Sequence, residues 1–80
     1  MDRETVILLE EMLERAAASV YAGRIARESI TITNPTRERI RLAGETLLER
    51  AADLYPELGA YVSSSTEGVI TLVLRARQMH

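Results

Sequence analysis

The sequence predicts an α+β domain in the order α-β-α-β-β. Two amphipathic helices pack on a three-stranded, mostly antiparallel sheet, with the last strand central. Three observations predict it. Apolar residues recur at helical spacing in two separate stretches, one over residues 2–22 and one beginning at Asn34-Pro35. Short runs that read as strands lie at 28–33, 60–66 and 69–76. The last of these, Val69-Ile70-Thr71-Leu72-Val73-Leu74, is apolar on both faces, as a central or doubly covered strand is.

The first helix carries its stripe on Val6, Leu9, Leu13, Ala16 and Val20. Asp2 is suited to the N-cap and Glu4 to the first turn, where the helix dipole favours an anion. Glu11 and Arg15 form a favourable i,i+4 pair, and Gly23 supplies the stop. Ile7, Leu8 and Met12 lie outside the stripe, so this helix is apolar over more than half its circumference and is expected to pack on two things. The strand over 28–33 places Ile30 and Ile32 on one face; Arg24 to Arg27 either extend it or form a turn.

The second helix is expected to start with Asn34 as N-cap and Pro35 at its first position. Its stripe is Ile40, Ala43, Leu47, Ala51, Leu54 and Leu58, with Tyr55-Pro56 marking the end. Leu13-Glu14-Arg15-Ala16-Ala17 recurs as Leu48-Glu49-Arg50-Ala51-Ala52 at a matching phase of the stripe; these are common helix formers and their flanks diverge. The runs 60–66 and 69–76 form a hairpin around Glu67-Gly68, with the polar first run suited to an edge. Both helices then cover one face of the sheet. The other face, carrying Val62, Val69, Thr71 and Val73, is left uncovered.

The 80 residues make one domain, 1–80. A chain of this mass buries roughly 8,000 Å² on folding, a thin margin. There is no cysteine, and His80 is the lone histidine, so disulfides, thiolate metal sites and histidine-rich metal sites are excluded and no cofactor or metal is expected. Self-association is the remaining aid to a thin core. A homodimer is therefore expected, through Ile7, Leu8 and Met12 or through Val62, Val69 and Val73. Hydrophobic content of 46% and a net charge of −2 mark a globular chain. The start Met1-Asp2-Arg3-Glu4 is acidic where a signal peptide is basic, and no apolar run approaches a membrane span, so a cytoplasmic protein with no membrane contact is expected. All ten basic residues are arginine. A GC-rich genome accounts for most of that bias, yet each cation is a planar fork suited to carboxylate or phosphate.

Chemistry is sparse. The second helix opposes its own dipole: Arg37, Arg39 and Arg41 come early, and Glu45, Glu49, Asp53 and Glu57 follow. With Asn34, Thr33 and Thr36, its start is a candidate site for phosphate, carboxylate or an acidic protein patch. The alternative is that these arginines pair with Glu10, Glu11 and Glu14 of the first helix, within or between subunits. Leu42, among acids on the polar side, is a candidate contact residue. Ser63-Ser64-Ser65-Thr66 lacks a nearby base and suits a solvated edge. Glu10, Glu11 and Glu14 suit a solvated helix face, and Tyr21, Tyr55 and Tyr61 suit element ends. The order helix-strand-helix-hairpin faintly resembles a winged helix, but that fold needs a further helix, and residues 35–54 read as one stripe. The expected function is a small non-catalytic binding protein, a regulator, inhibitor or adaptor, acting through protein contacts. The alternative is a dimeric nucleic-acid-binding regulator using the arginines of the second helix.

Overall fold

The computed structural model of the chain describes residues 2–77, so His80 lies outside the described residues. Helix α1 spans Arg3–Tyr21, strand β1 Ala26–Thr31, helix α2 Arg37–Leu54, strand β2 Leu58–Ser64 and strand β3 Val69–Ala76. The strands form one sheet in the order β1-β3-β2, with β3 antiparallel to both neighbours. The α+β class, the element order and the central last strand are those the sequence predicts.

Alternation along β3 fixes the two faces. Ile70, Leu72 and Leu74 are fully buried, and they meet Leu9, Met12 and Leu13 of α1 and Ala43, Leu47 and Ala51 of α2 in one core. Side chains paired across strands project to the same side. The register therefore places Ala26, Glu28 and Ile30 of β1 and Ala60, Val62 and Ser64 of β2 on this helix-covered face. Helix α1 lies over β1 and β3, and α2 over β2 and β3. Burial of each large apolar side chain contributes roughly 1.5–3 kcal/mol.

The elements begin and end where local chemistry sets them. Asp2 precedes α1 in extended conformation, and its carbonyl accepts the Val6 amide. Helix α2 is capped by Thr36, whose hydroxyl accepts the Arg39 amide at 3.1 Å. This corrects the expected cap at Asn34, which instead sits at φ 50° in the preceding loop. Strand β1 starts two residues earlier than expected, at Ala26, and β2 starts at Leu58. Leu58 thus belongs to the sheet and not to the helix stripe. Leu54, expected in that stripe, is 57% exposed.

The β2–β3 connection closes through Ser65: its amide donates to the Val69 carbonyl, and the Gly68 amide donates to the Ser65 carbonyl. Thr66, Glu67 and Gly68 are the loop, with Gly68 at φ +92°. A three-residue loop with a left-handed glycine is a favoured hairpin connection. It pairs Val62 with Leu72, so Val62 faces the helices, packed near Gly44, and not the uncovered side. The repeated segments share the phase of their stripes, with Ala16 and Ala51 both buried, but the buried face of α1 is wider: Leu13 is 1% exposed and its counterpart Leu48 is 42% exposed.

Candidate functional site

The residues expected at the start of α2 do not converge. Arg39 turns toward α1 and donates to the Asp2 carboxylate at 3.4 Å. Arg41 lies between Glu38 and Glu45 on its own helix and bonds both. These i,i+3 and i,i+4 partners offset the unfavourable dipole position of Arg41. Arg37 is exposed and has no carboxylate partner among the described residues. It lines a recess of about 220 Å³ with Thr36 and the Ser64–Thr66 segment. Asn34 is exposed in the loop, and Leu42 is half-buried, not projecting freely among the acids. Within the chain, no pairing of Arg37, Arg39 or Arg41 with Glu10, Glu11 or Glu14 occurs among the described residues. Glu10 instead faces Arg50 at 3.9 Å. Arg15 bonds Glu28 of β1 at 3.3 Å, not Glu11.

Of the surfaces proposed for self-association, Met12 has 0% exposure and faces the core, so it presents nothing to a partner. Ile7 and Leu8 are each 45% exposed on α1. Val69 and Val73 are half-buried on the uncovered sheet face.

That face is the most distinctive surface of the molecule. Register puts Arg27, Ser29 and Thr31 of β1, Val69, Thr71, Val73 and Arg75 of β3, and Gly59, Tyr61 and Ser63 of β2 on it. The strands contain one carboxylate, Glu28, and it lies on the opposite, helix-covered side. Arg27 and Arg75 are therefore the charged residues of the face, and neither has a carboxylate partner among the described residues. Ser29 and Thr71 share a hydrogen bond of 2.9 Å between hydroxyls. Ser63 pairs with Thr71 from the other side, making a cross-strand row of three hydroxyls. In the adjoining row, Arg27, Val73 and Tyr61 stand abreast.

Tyr61 is 53% exposed. Its partner-row neighbour is Gly59, and the ring leans across it: Tyr61 Cε2 stands 3.7 Å from where a Cβ on Gly59 would be. The Arg75 guanidinium donates to the Tyr61 hydroxyl at 3.0 Å, with its central carbon 5.1 Å from the ring centroid. The face runs into a recess of about 860 Å³ at the end of the sheet, lined among others by Arg24, Ile25, Arg75 and Arg77. Arg77 donates to the Leu58 carbonyl at 3.2 Å, and Ile25 is 72% exposed. Arg24 and Arg77 also have no carboxylate partner among the described residues.

Among the described residues the ion pairs all involve arginines of the helices, namely Arg15, Arg39, Arg41 and Arg50. Eight of the twelve carboxylates also lie on the helices. Those of α1 and α2 project from the helix layer, which leaves the sheet face cationic in a chain whose net charge is −2. The sequence shows Arg75 and Arg77 as local positive charge near the C-terminus, but Arg27 lies far from them in the chain and only the strand register brings it onto the same face.

Among the described residues there is no cluster of His, Asp or Glu able to hold a metal. Tyr21 donates to the Glu57 carboxylate; this contact pushes the Tyr21 hydroxyl up and holds Glu57 below the usual carboxylate range. Both groups are exposed at the surface, and the pair ties the end of α1 to the turn before β2. Among the described residues, no helix is long and apolar enough to cross a membrane. Comparison with family models, curated proteins and solved structures yields no match.

Proposed function

We propose that the chain is a small non-catalytic binding protein, a regulator or adaptor, that contacts an anionic macromolecule through the uncovered face of its sheet. The observation that carries this reading is the absence of any carboxylate from that face of the strands, beside two arginines that no described acid neutralises. An exposed arginine gains little from a single surface ion pair, about 0–1 kcal/mol. Several on one face raise the local potential and steer an anionic partner. The arginines of α2 are a weaker candidate, since Arg39 and Arg41 already hold carboxylates.

Retention on immobilised heparin at low salt tests the proposal. The double variant Arg27→Ala/Arg75→Ala is expected to elute at clearly lower salt than the wild type, while Arg37→Ala elutes with the wild type. Co-elution of all three, or a loss confined to Arg37→Ala, contradicts it.

A homodimer is the second reading, favoured by Ile7 and Leu8, neighbouring side chains left 45% exposed on α1. Face-to-face packing of two sheets is the less favourable route, because it buries arginines against a surface that offers no acid. The dimer is thus assigned to α1. Light scattering at about 100 μM, where a Kd near 1 μM leaves mostly dimer, is expected to give twice the monomer mass, falling to monomer in Leu8→Glu. A monomer in the wild type removes this reading and leaves the sheet-face reading untouched.

A further inference from the structure

Resting on that reading, we infer that the occupant of the sheet face is a single strand of nucleic acid, with Tyr61 as the stacking platform for a base and Arg27 and Arg75 as phosphate contacts. Charge alone does not choose between a phosphate backbone and an acidic protein. The aromatic ring and the hydroxyls do.

Proteins that hold single strands combine cationic side chains along the backbone with aromatic rings on which bases stack. Tyr61 has the required placement. It stands on the open face, half of its surface is exposed, and its ring leans along the sheet over Gly59, with Cε2 within van der Waals reach of that residue. The Arg75 guanidinium holds the ring through the hydroxyl at 3.0 Å, leaving its other donors free for a phosphate. Such an arginine–tyrosine pair presents a ring restrained before a ligand arrives, which lowers the ordering cost of binding. Beside it, the row Ser29–Thr71–Ser63 offers neutral donors and acceptors for base edges. An acidic peptide would use the arginines but gain nothing from the flat ring. A duplex hides its base faces and would leave the ring unstacked.

The fit extends beyond the central rows. A strand laid over Tyr61 can continue into the recess at the sheet end, where Arg24 and Arg77 add cations. The negative helix layer lies on the opposite side of the sheet, so a polyanion approaching the molecule is directed to one face.

Fluorescence anisotropy with a labelled oligothymidylate of about twelve nucleotides, within the usual span of single-strand sites, tests the inference. Three comparison probes are used: an abasic sugar-phosphate oligomer of equal length, a duplex of equal length, and poly-glutamate. The oligothymidylate is expected to bind most tightly of the four. Tyr61→Ala is expected to weaken it about 5-fold or more, and Tyr61→Phe to restore most of the loss, because the ring and not the hydroxyl stacks. In Arg27→Ala/Arg75→Ala the slope of log K against log salt is expected to shrink by about 1.4, the value for two phosphate contacts on a single strand. Circular dichroism checks that each variant is folded; the replaced side chains lie outside the core. Equal binding of the abasic and thymidylate oligomers, or an unchanged affinity in Tyr61→Ala, overturns the stacking inference while leaving an anionic partner standing. Tighter binding of poly-glutamate points to an acidic protein instead and overturns it as well. If no polyanion binds, the sheet-face proposal itself falls.

Discussion

Thr5 is the one buried polar side chain near the start of α1, and its hydroxyl donates to the Asp2 carboxylate. That bond first, and the Arg39 guanidinium beside it, hold Asp2 below the usual aspartate range. Glu38 is lowered in the same way by the hydrogen bond and charge of Arg41, and Glu57 by the Tyr21 hydroxyl. For each, the folded pKa lies below the unfolded one, so the unfolded chain binds more protons in acid. Stability from these groups is complete above the ordinary carboxylate range, about pH 4–4.5, and is lost as the pH falls through the lowered folded values. Urea midpoints are therefore expected to hold between pH 7 and 5 and to drop below pH 4; a midpoint unchanged down to pH 3 contradicts the assignment. Carboxyl NMR titration locates the effect: Thr5→Val is expected to move Asp2 upward, toward the ordinary aspartate range. At this scale the sequence was partly legible. It marked Asp2 as the start of α1, but not Thr5 as its partner, because that choice depends on which helix face is buried.

Among the elements, the hairpin carries the most information. Gly23 and Gly68 both adopt positive φ, yet they differ in surroundings. A Cβ on Gly23 meets nothing within 4 Å, whereas one on Gly68 would stand 2.7 Å from Pro35 Cβ. Gly23→Ala is expected to cost about 1 kcal/mol from the left-handed backbone alone. Gly68→Ala is expected to cost at least about 2 kcal/mol, because Pro35 must also move. Equal losses by urea denaturation would show that the loop yields freely. The same turn explains what the sequence left open. Helices and strands were legible from their periods, and the central place of β3 from its two apolar faces. Boundaries were not, since Asn34 and Thr36 are both good caps and the geometry of the loop chooses. A two-residue turn at Glu67-Gly68 would pair Thr66 with Val69 and put Val62 opposite Val73. The three-residue loop shifts the pairing by one, and a shift of one exchanges the faces of a strand. Val62 thereby goes to the core side and Tyr61 to the open side. The candidate site was illegible for that reason: its aromatic residue is placed by a register that no local pattern specifies.

For the molecule as a whole, a small core coexists with a strongly divided surface. Leu47 has 0% exposure between the helices and the sheet. Leu47→Ala is expected to cost about 2–5 kcal/mol, a large share of the roughly 4–12 kcal/mol available to a chain of this length. The variant is thus expected to be partly unfolded at 37 °C by circular dichroism; an undiminished melting temperature would mean that the core lies elsewhere. The surface division follows from the fold. Helices supply one wall of a two-layer domain and take most of the acids, while the strands expose a face with arginines and hydroxyls only among its polar groups. The composition gave no hint of it, since a net charge of −2 averages over both sides. The central claim, that the uncovered sheet face is the binding surface, is tested most directly by mapping backbone amide shifts during titration with the oligothymidylate. Perturbations are expected to concentrate at Arg27, Tyr61, Val73 and Arg75, with the amides of α1 and α2 little changed. Perturbations centred on Thr36 and Arg37, or on the exposed side of α1, would contradict the claim.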